Sequence, residues 1–195
     1  MEGQPGTFLT SLGETFLTTF YRVLADSSWG YGFVAVEGDE VLGVVTATTD
    51  THTMFKEFIL KQGPRLFFPV LRQVLKDPSL IIKILQTLFY PNKLGEQPGE
   101  AEFLFMGVSA KARRQRIGSQ LLDTLIEDTR RRGATALLST VDAANPVSNA
   151  MHVKRPFRLI KTFDLYGRKM NLYSYPYQES KADSVSQAKN ETQRG

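Results

Sequence analysis

AEFLFMGVSAKARRQRIGSQLLDTLIEDTRRR, residues 101–132, decides how the rest of the chain is read. Residues 103–108 form a short apolar run suited to a strand covered on both faces. The next eight residues pack Lys111, Arg113, Arg114 and Arg116 into one short connection. Ile117, Leu121, Leu122, Leu125 and Ile126 then recur at helical spacing. Arg130, Arg131 and Arg132 fall in the last turn, where cations favour the carbonyl end, and Gly133 closes the helix. A strand, a basic turn and a helix opening near a glycine put free N–H groups and a positive dipole end beside several guanidiniums. That arrangement suits a phosphate or diphosphate. A basic solvated loop that only joins strand to helix fits the same residues.

Outward from this unit, the chain alternates helical and extended patterns. Residues 8–25 have helical spacing through Leu9, Leu12, Phe16, Phe20 and Leu24. After a turn at residues 29–32, residues 33–36 and 41–48 are β-rich and joined at Gly38 and Asp39 as a hairpin. Gly43 marks a bulge or a close backbone approach. Residues 51–99 read as a helical insert. One stripe runs through Leu66, Val70, Leu71 and Val74, the Asp77-Pro78 pair breaks it, and residues 80–89 are apolar nearly all round. Such helices pack on the sheet or each other; otherwise they form a dimer face, a lid over an apolar substrate or a membrane-surface contact. Residues 90–100 read as a loop back to the sheet. Beyond residue 132, residues 135–141 are a strand, Asn145-Pro146 starts a short helix, and residues 157–163 and 169–175 form a second hairpin. From Gln178 the chain has little apolar weight and reads as a disordered tail after one domain spanning residues 1–177.

The chain has 195 residues and no cysteine, which excludes disulfides, thiolate catalysis and cysteine-ligated metal clusters. Only His52 and His152 are histidines, so a histidine-rich metal site is excluded as well. A net charge of +4 suits an anionic small ligand, nucleic acid or a membrane surface without choosing among them. The aromatics do not interleave with the basic residues as a nucleic-acid stacking platform requires, so no nucleic acid is expected. The residues before Phe8 are polar, and no apolar run approaches the roughly 20 residues of a membrane span, so a cytoplasmic protein is expected.

The order helix, hairpin, strand, basic turn, helix, strand, short helix, hairpin resembles the GNAT superfamily of acyl-CoA-dependent N-acyltransferases. Its motif Q/R-x-x-G-x-G/A is matched by Arg113, Arg114, Gln115, Arg116, Ile117 and Gly118. A second family pattern, N-x-x-A-x-x-F-Y-x-x-x-G-F, is approximated by Asn145, Ser148, Met151, His152, Pro156 and Phe157. The chain departs from the family at Arg116 and Pro156, where glycines are usual, and at His152, where a tyrosine is usual. No counterpart of the family's first strand precedes Phe8.

The resemblance implies a mixed α/β fold with a mostly antiparallel sheet, and transfer of an acetyl or short acyl group from acetyl-CoA to a small-molecule or peptide amine. It needs no metal. The amides of Arg114, Ile117, Gly118 and Ser119 would receive the diphosphate, with charge from Arg113 and Arg116. Backbone N–H at Val108 would polarise the thioester carbonyl, and Asn145 would contact CoA. His152 would protonate the departing thiolate, and Glu102 would deprotonate the amine. Each has a plainer reading: core for Val108, an N-cap for Asn145, a surface or capping histidine, a solvated strand-end glutamate. A CoA-binding module without turnover, a basic nucleic-acid binder and a homodimer through the insert or a sheet edge remain alternatives.

Overall fold

The computed structural model describes residues 12–95 and 97–177. Expectations for residues 8–11 of the first helix and for the tail from Gln178 lie outside them. Helix α1 (Glu14–Asp26) leads into the hairpin β1 (Gly30–Glu37) and β2 (Glu40–Thr48). Three helices follow: α2 (Thr51–Lys76), α3 (Leu80–Leu88) and α4 (Tyr90–Leu94). Then come β3 (Glu100–Val108), a 3-10 turn (Ala110–Ala112), α5 (Ile117–Arg131), β4 (Ala136–Asp142), α6 (Pro146–Val153) and the hairpin β5 (Arg158–Leu165) and β6 (Arg168–Pro176).

The sheet runs β1-β2-β3-β4-β6-β5. Every neighbouring pair is antiparallel except β3 and β4, so the mixed, mostly antiparallel α/β fold expected from the sequence is the one found. Alternation along the strands sorts the core onto two faces. Val45, Ala47, Phe103 and Leu137 meet Leu121, Leu122 and Leu125 of α5 on one face. Leu138 and Leu172 meet Tyr90 and Leu94 of α4 on the other, where Leu24, Trp29 and Met54 also cluster. Leu122 and Leu125 are wholly buried, and truncating either to Ala removes about 2–5 kcal/mol. The glycine at position 43 serves both roles read for it. Leu42 beside it is the extra residue of a bulge opposite Ala35 and Val36. A side chain at Gly43 would meet Leu121 Cδ1 at 3.0 Å and Gly107 O at 3.1 Å, so its absence lets α5 lie against the sheet.

Several local expectations are corrected. Residues 30–32 belong to β1 and not to a turn, because they pair with Thr46, Ala47 and Thr48. Helix α2 starts at Thr51, with Asp50 accepting from the Thr53 amide at 2.7 Å, and runs through Pro64 and Pro69 to Lys76. Residues 90–94 form a short helix closed by left-handed Gly95 where a loop was expected, because Tyr90 and Leu94 are drawn into the core. Helix α3 is not covered on most sides: Ile81, Ile82 and Leu85 are exposed.

Candidate active site

The parallel pairing of β3 and β4 lasts only from Glu100 opposite Ala136 to Phe103 opposite Ser139. Beyond it the two strands part. Each stays attached to its outer neighbour almost to its tip, β3 to β2 as far as Val108 opposite Gly43 and β4 to β6 as far as Asp142 opposite Met170. A bulge assists the separation, since Leu104 is the extra residue where Thr46 faces Phe105 and Ala47 faces Phe103. The result is a fork whose inner edges carry unpaired backbone groups. The Ser109 N–H donates to Leu42 O at 2.8 Å, on the β2 side. Because donors alternate along a strand, the Val108 N–H turns to the open edge.

Helix α5 begins directly after this prong. Its N-cap, Arg116, adopts a left-handed φ of 63° and provides no side-chain cap. Arg114 is left-handed too, at φ 66°. These two turns explain the family preference for glycine at position 116: the chain must bend through a region where a β-carbon is crowded. Among the described residues the amides of Ile117, Gly118 and Ser119 have no protein acceptor, and the first bond back is Gln120 N–H to Arg116 O at 3.0 Å. Arg113, Arg114 and Arg116 are all exposed around them. Gly118 faces the end of β3, with Val108 Cγ2 3.4 Å and Met106 Cε 3.7 Å from where its β-carbon would stand.

On the opposite prong, Asn145 caps α6 by accepting from the Ser148 amide at 3.1 Å. Asn149, which no sequence pattern singled out, fastens the tip of β4. Its Nδ2 donates to Asp142 O at 2.9 Å and Asn145 O at 2.7 Å, while its Oδ1 accepts from Asn171 Nδ2 and Tyr173 O–H, both at 2.9 Å.

His152 is fully buried at the base of the fork. Its ring stacks on Tyr173 and stands edge-on to Phe157. Nδ1 lies 2.8 Å from Ser148 O and Nε2 2.8 Å from Ser139 Oγ. A carbonyl can only accept, so Nδ1 carries the proton and Nε2 accepts from Ser139. Burial lowers the pKa below its ordinary 6.5. With both nitrogens engaged and the neutral form favoured, this placement does not suit the acid role expected from the sequence. Nor is the ring a surface or helix-capping group.

Glu102 is likewise no solvated strand-end residue: it is 2 % exposed. Oε2 accepts from Thr51 Oγ1 at 2.8 Å and Oε1 from the Tyr90 hydroxyl at 2.5 Å. Tyr90 O also lies 2.8 Å from Thr140 Oγ1. One hydroxyl hydrogen cannot serve both, so with Tyr90 donating to Glu102, Thr140 donates to Tyr90. Burial, followed by the charge of Glu102, holds the Tyr90 pKa well above 10.0. The partners stand 12, 51 and 50 residues apart along the three bonds, so no local pattern announces Tyr90, Thr51 or Thr140.

Tyr90 and Thr140 form part of the wall of a cavity of about 1950 Å³ on the sheet face away from α5. The cavity reaches the fork at Leu104, Phe105, Thr140 and Val141, and its lining combines apolar side chains of α1 and α2 with residues of the strands. Thr46 is on its wall, with a buried Oγ1 that has no protein partner among the described residues. His52, the other histidine, is exposed near the start of α2 and is not part of that wall. Among the described residues no group of His, Asp and Glu could hold a metal ion.

The profile of the acetyltransferase (GNAT) family matches residues 6–157. No curated protein matches the sequence. Among solved structures, an acetyltransferase shares 19 % identity over 88 % of this chain and 85 % of its own, with a TM-score of 0.56. The ribosomal-protein-S18-alanine N-acetyltransferase of Escherichia coli shares 13 % over 85 % and 77 %, TM-score 0.53. The N-acetyltransferase of Staphylococcus aureus Mu50 shares 20 % over 84 % and 76 %, TM-score 0.50. Identities this low speak for the fold alone. With the profile spanning most of the chain and the forked sheet standing before an uncapped helix, the protein belongs to the GNAT family of acetyltransferases.

Proposed function

We propose that the protein moves an acetyl or other short acyl group from acyl-CoA directly to a primary amine, with both substrates bound together. The observation that carries this reading is the fork between β3 and β4 opening in front of the uncapped start of α5. The residues there fit an acyl-CoA: free first-turn amides and three exposed guanidiniums for a diphosphate, and an unpaired strand edge for an amide-bearing arm. Amides from Arg114 to Ser119 take the diphosphate, including those of Ile117 and Gly118. Arg113, Arg114 and Arg116 add charge. The Val108 N–H polarises the thioester carbonyl, and Asn145 borders the arm from the other prong. When bound, acyl-CoA supplies an activated carbonyl and a thiolate leaving group. Residues 1–177 would act as one catalytic domain, in the cytoplasm.

The apolar cavity receives the body of the acceptor and brings its amine to the fork from the opposite face. Its size, about 1950 Å³, exceeds the roughly 300–1,000 Å³ of ordinary ligand pockets, which favours an amine with a large apolar portion. The amine nitrogen bonds to the carbonyl carbon, the carbon–sulfur bond breaks, and the amine proton leaves through the Thr140 and Tyr90 hydroxyls to Glu102. An acyl-enzyme on cysteine is closed to a chain that has none. His152 takes no part in the proton transfers and holds Ser139 at the base of the fork.

Calorimetry with acetyl-CoA tests the placement. Wild type binds, and Gly118→Trp, which fills the space before Val108 and Met106, binds at least about tenfold more weakly. No binding by wild type removes the functional reading, and equal binding by both moves the donor elsewhere. In thiol-release assays on apolar amines, Glu102→Gln and Tyr90→Phe each lower kcat/KM by about 10²-fold with acetyl-CoA affinity retained. Unchanged turnover in both discards the relay.

A further inference from the structure

Helices α2 and α3 carry most of the large apolar side chains exposed among the described residues. On α2 a stripe of exposed apolar residues comprises Leu60 (67 %), Phe67 (57 %), Phe68 (74 %), Leu71 (38 %) and Leu75 (75 %). Their spacing, with exposed Pro64, puts them on a single face. The opposite face of the same helix is accounted for: Phe58 packs against Phe16 and Phe20 of α1, and Leu66 is buried. Helix α3 adds Ile81, Ile82 and Leu85, and Phe89 follows at its end, exposed by 60 %. Beside the α2 stripe run Arg65, Arg72 and Lys76, all exposed and with no ion-pair partner among the described residues.

Charge selects what covers this face. Between Thr51 and Leu94 seven lysines and arginines stand against two acids, Glu57 and Asp77, an excess of five in a chain whose total is +4. A second copy would set that excess against itself, with almost no carboxylate to pair it. The chain's own C-terminal residues 178–195 hold one valine and nothing larger that is apolar. A basic, apolar face on a helix some 39 Å long, from 26 residues at about 1.5 Å each, matches an anionic bilayer. Phenylalanines and leucines enter the headgroup boundary while the arginines meet lipid phosphates. Among the described residues no helix is long and apolar enough to cross a membrane, so the contact is with the surface.

We propose that the exposed face of α2 and α3 docks this enzyme on an anionic lipid surface. Phe67 and Leu71 belong both to this face and to the cavity wall, so docking brings the rim of the acceptor cavity to the lipid. The docking itself does not depend on the acyl-transfer reading.

Co-sedimentation with vesicles tests it. Wild type partitions at least about tenfold more strongly onto phosphatidylcholine–phosphatidylglycerol vesicles, roughly 2:1, than onto phosphatidylcholine alone, and the excess shrinks between about 0.1 M and 0.5 M salt. Phe67→Ser, Phe68→Ser and Leu75→Ser combined lower that partition about tenfold or more, as do Arg65→Glu, Arg72→Glu and Lys76→Glu combined. Both sets are on the solvent side, and unchanged circular dichroism verifies their folding. The proposal is overturned if wild type stays in the supernatant with anionic vesicles, or if both folded variants bind as wild type does. It is equally overturned if sedimentation equilibrium shows a dimer that the serine variant dissociates, because a second copy then owns the face.

Discussion

In the proposed site Arg116 and Glu102 are each placed where their residue type is uncomfortable. Arg116 holds φ at 63° with no side-chain cap. For a residue with a β-carbon that conformation costs on the order of 1–2 kcal/mol. Arg116→Gly therefore raises the unfolding free energy by about 1 kcal/mol in urea titration while weakening acetyl-CoA binding through the lost cation. A variant that is less stable than wild type would show that the backbone there carries no strain. The motif itself was legible from residues 113–118, because the arginines and Gly118 fall at family spacing. That position 116 needs a left-handed turn was visible only as a departure from glycine. Glu102 was named from the sequence, yet its surroundings were not, because Thr51, Tyr90 and Thr140 reach it through the fold.

Among elements, α5 and α6 were the most legible. The apolar stripe from Ile117 to Ile126 is the face that packs on the sheet, and Asn145-Pro146 opens α6 with the expected cap. Helix α4 was hidden because Pro91 and Gly95 spell a loop, while burial of Tyr90 and Leu94 overrides that local preference. The burial of His152 went unread for a related reason: its position in the motif is visible in the sequence, whereas the aromatic enclosure around it is not. That enclosure has a measurable consequence. Burial depresses the folded-state pKa, so between that value and the ordinary 6.5 the unfolded chain binds the extra proton. The contribution is present above pH 6.5 and is lost as pH falls through the folded value. Thermal unfolding followed across that window gives a lower Tm at lower pH, and His152→Gln flattens the slope. An unaltered slope in the variant would assign it to other groups.

At the scale of the whole molecule, the fork is an outcome of pairing on the outside, and its own inner edges contribute nothing to holding it. β3 is bound to β2 out to Val108, and β4 to β6 out to Asp142, so both arms are braced to their ends. Sequence periodicity identified these strands but not their neighbours, since alternation within a strand is blind to which strand lies beside it. The insert between Thr51 and Leu94 then loads one face with helices, one side of which closes the large cavity while the other meets solvent. Bracing of this kind has a kinetic signature. A seat already open at rest asks for no isomerisation before or after encounter. In stopped-flow experiments the observed rate should climb in direct proportion to acetyl-CoA, without levelling off, and a hyperbolic plateau would reveal a gate that static pairing conceals.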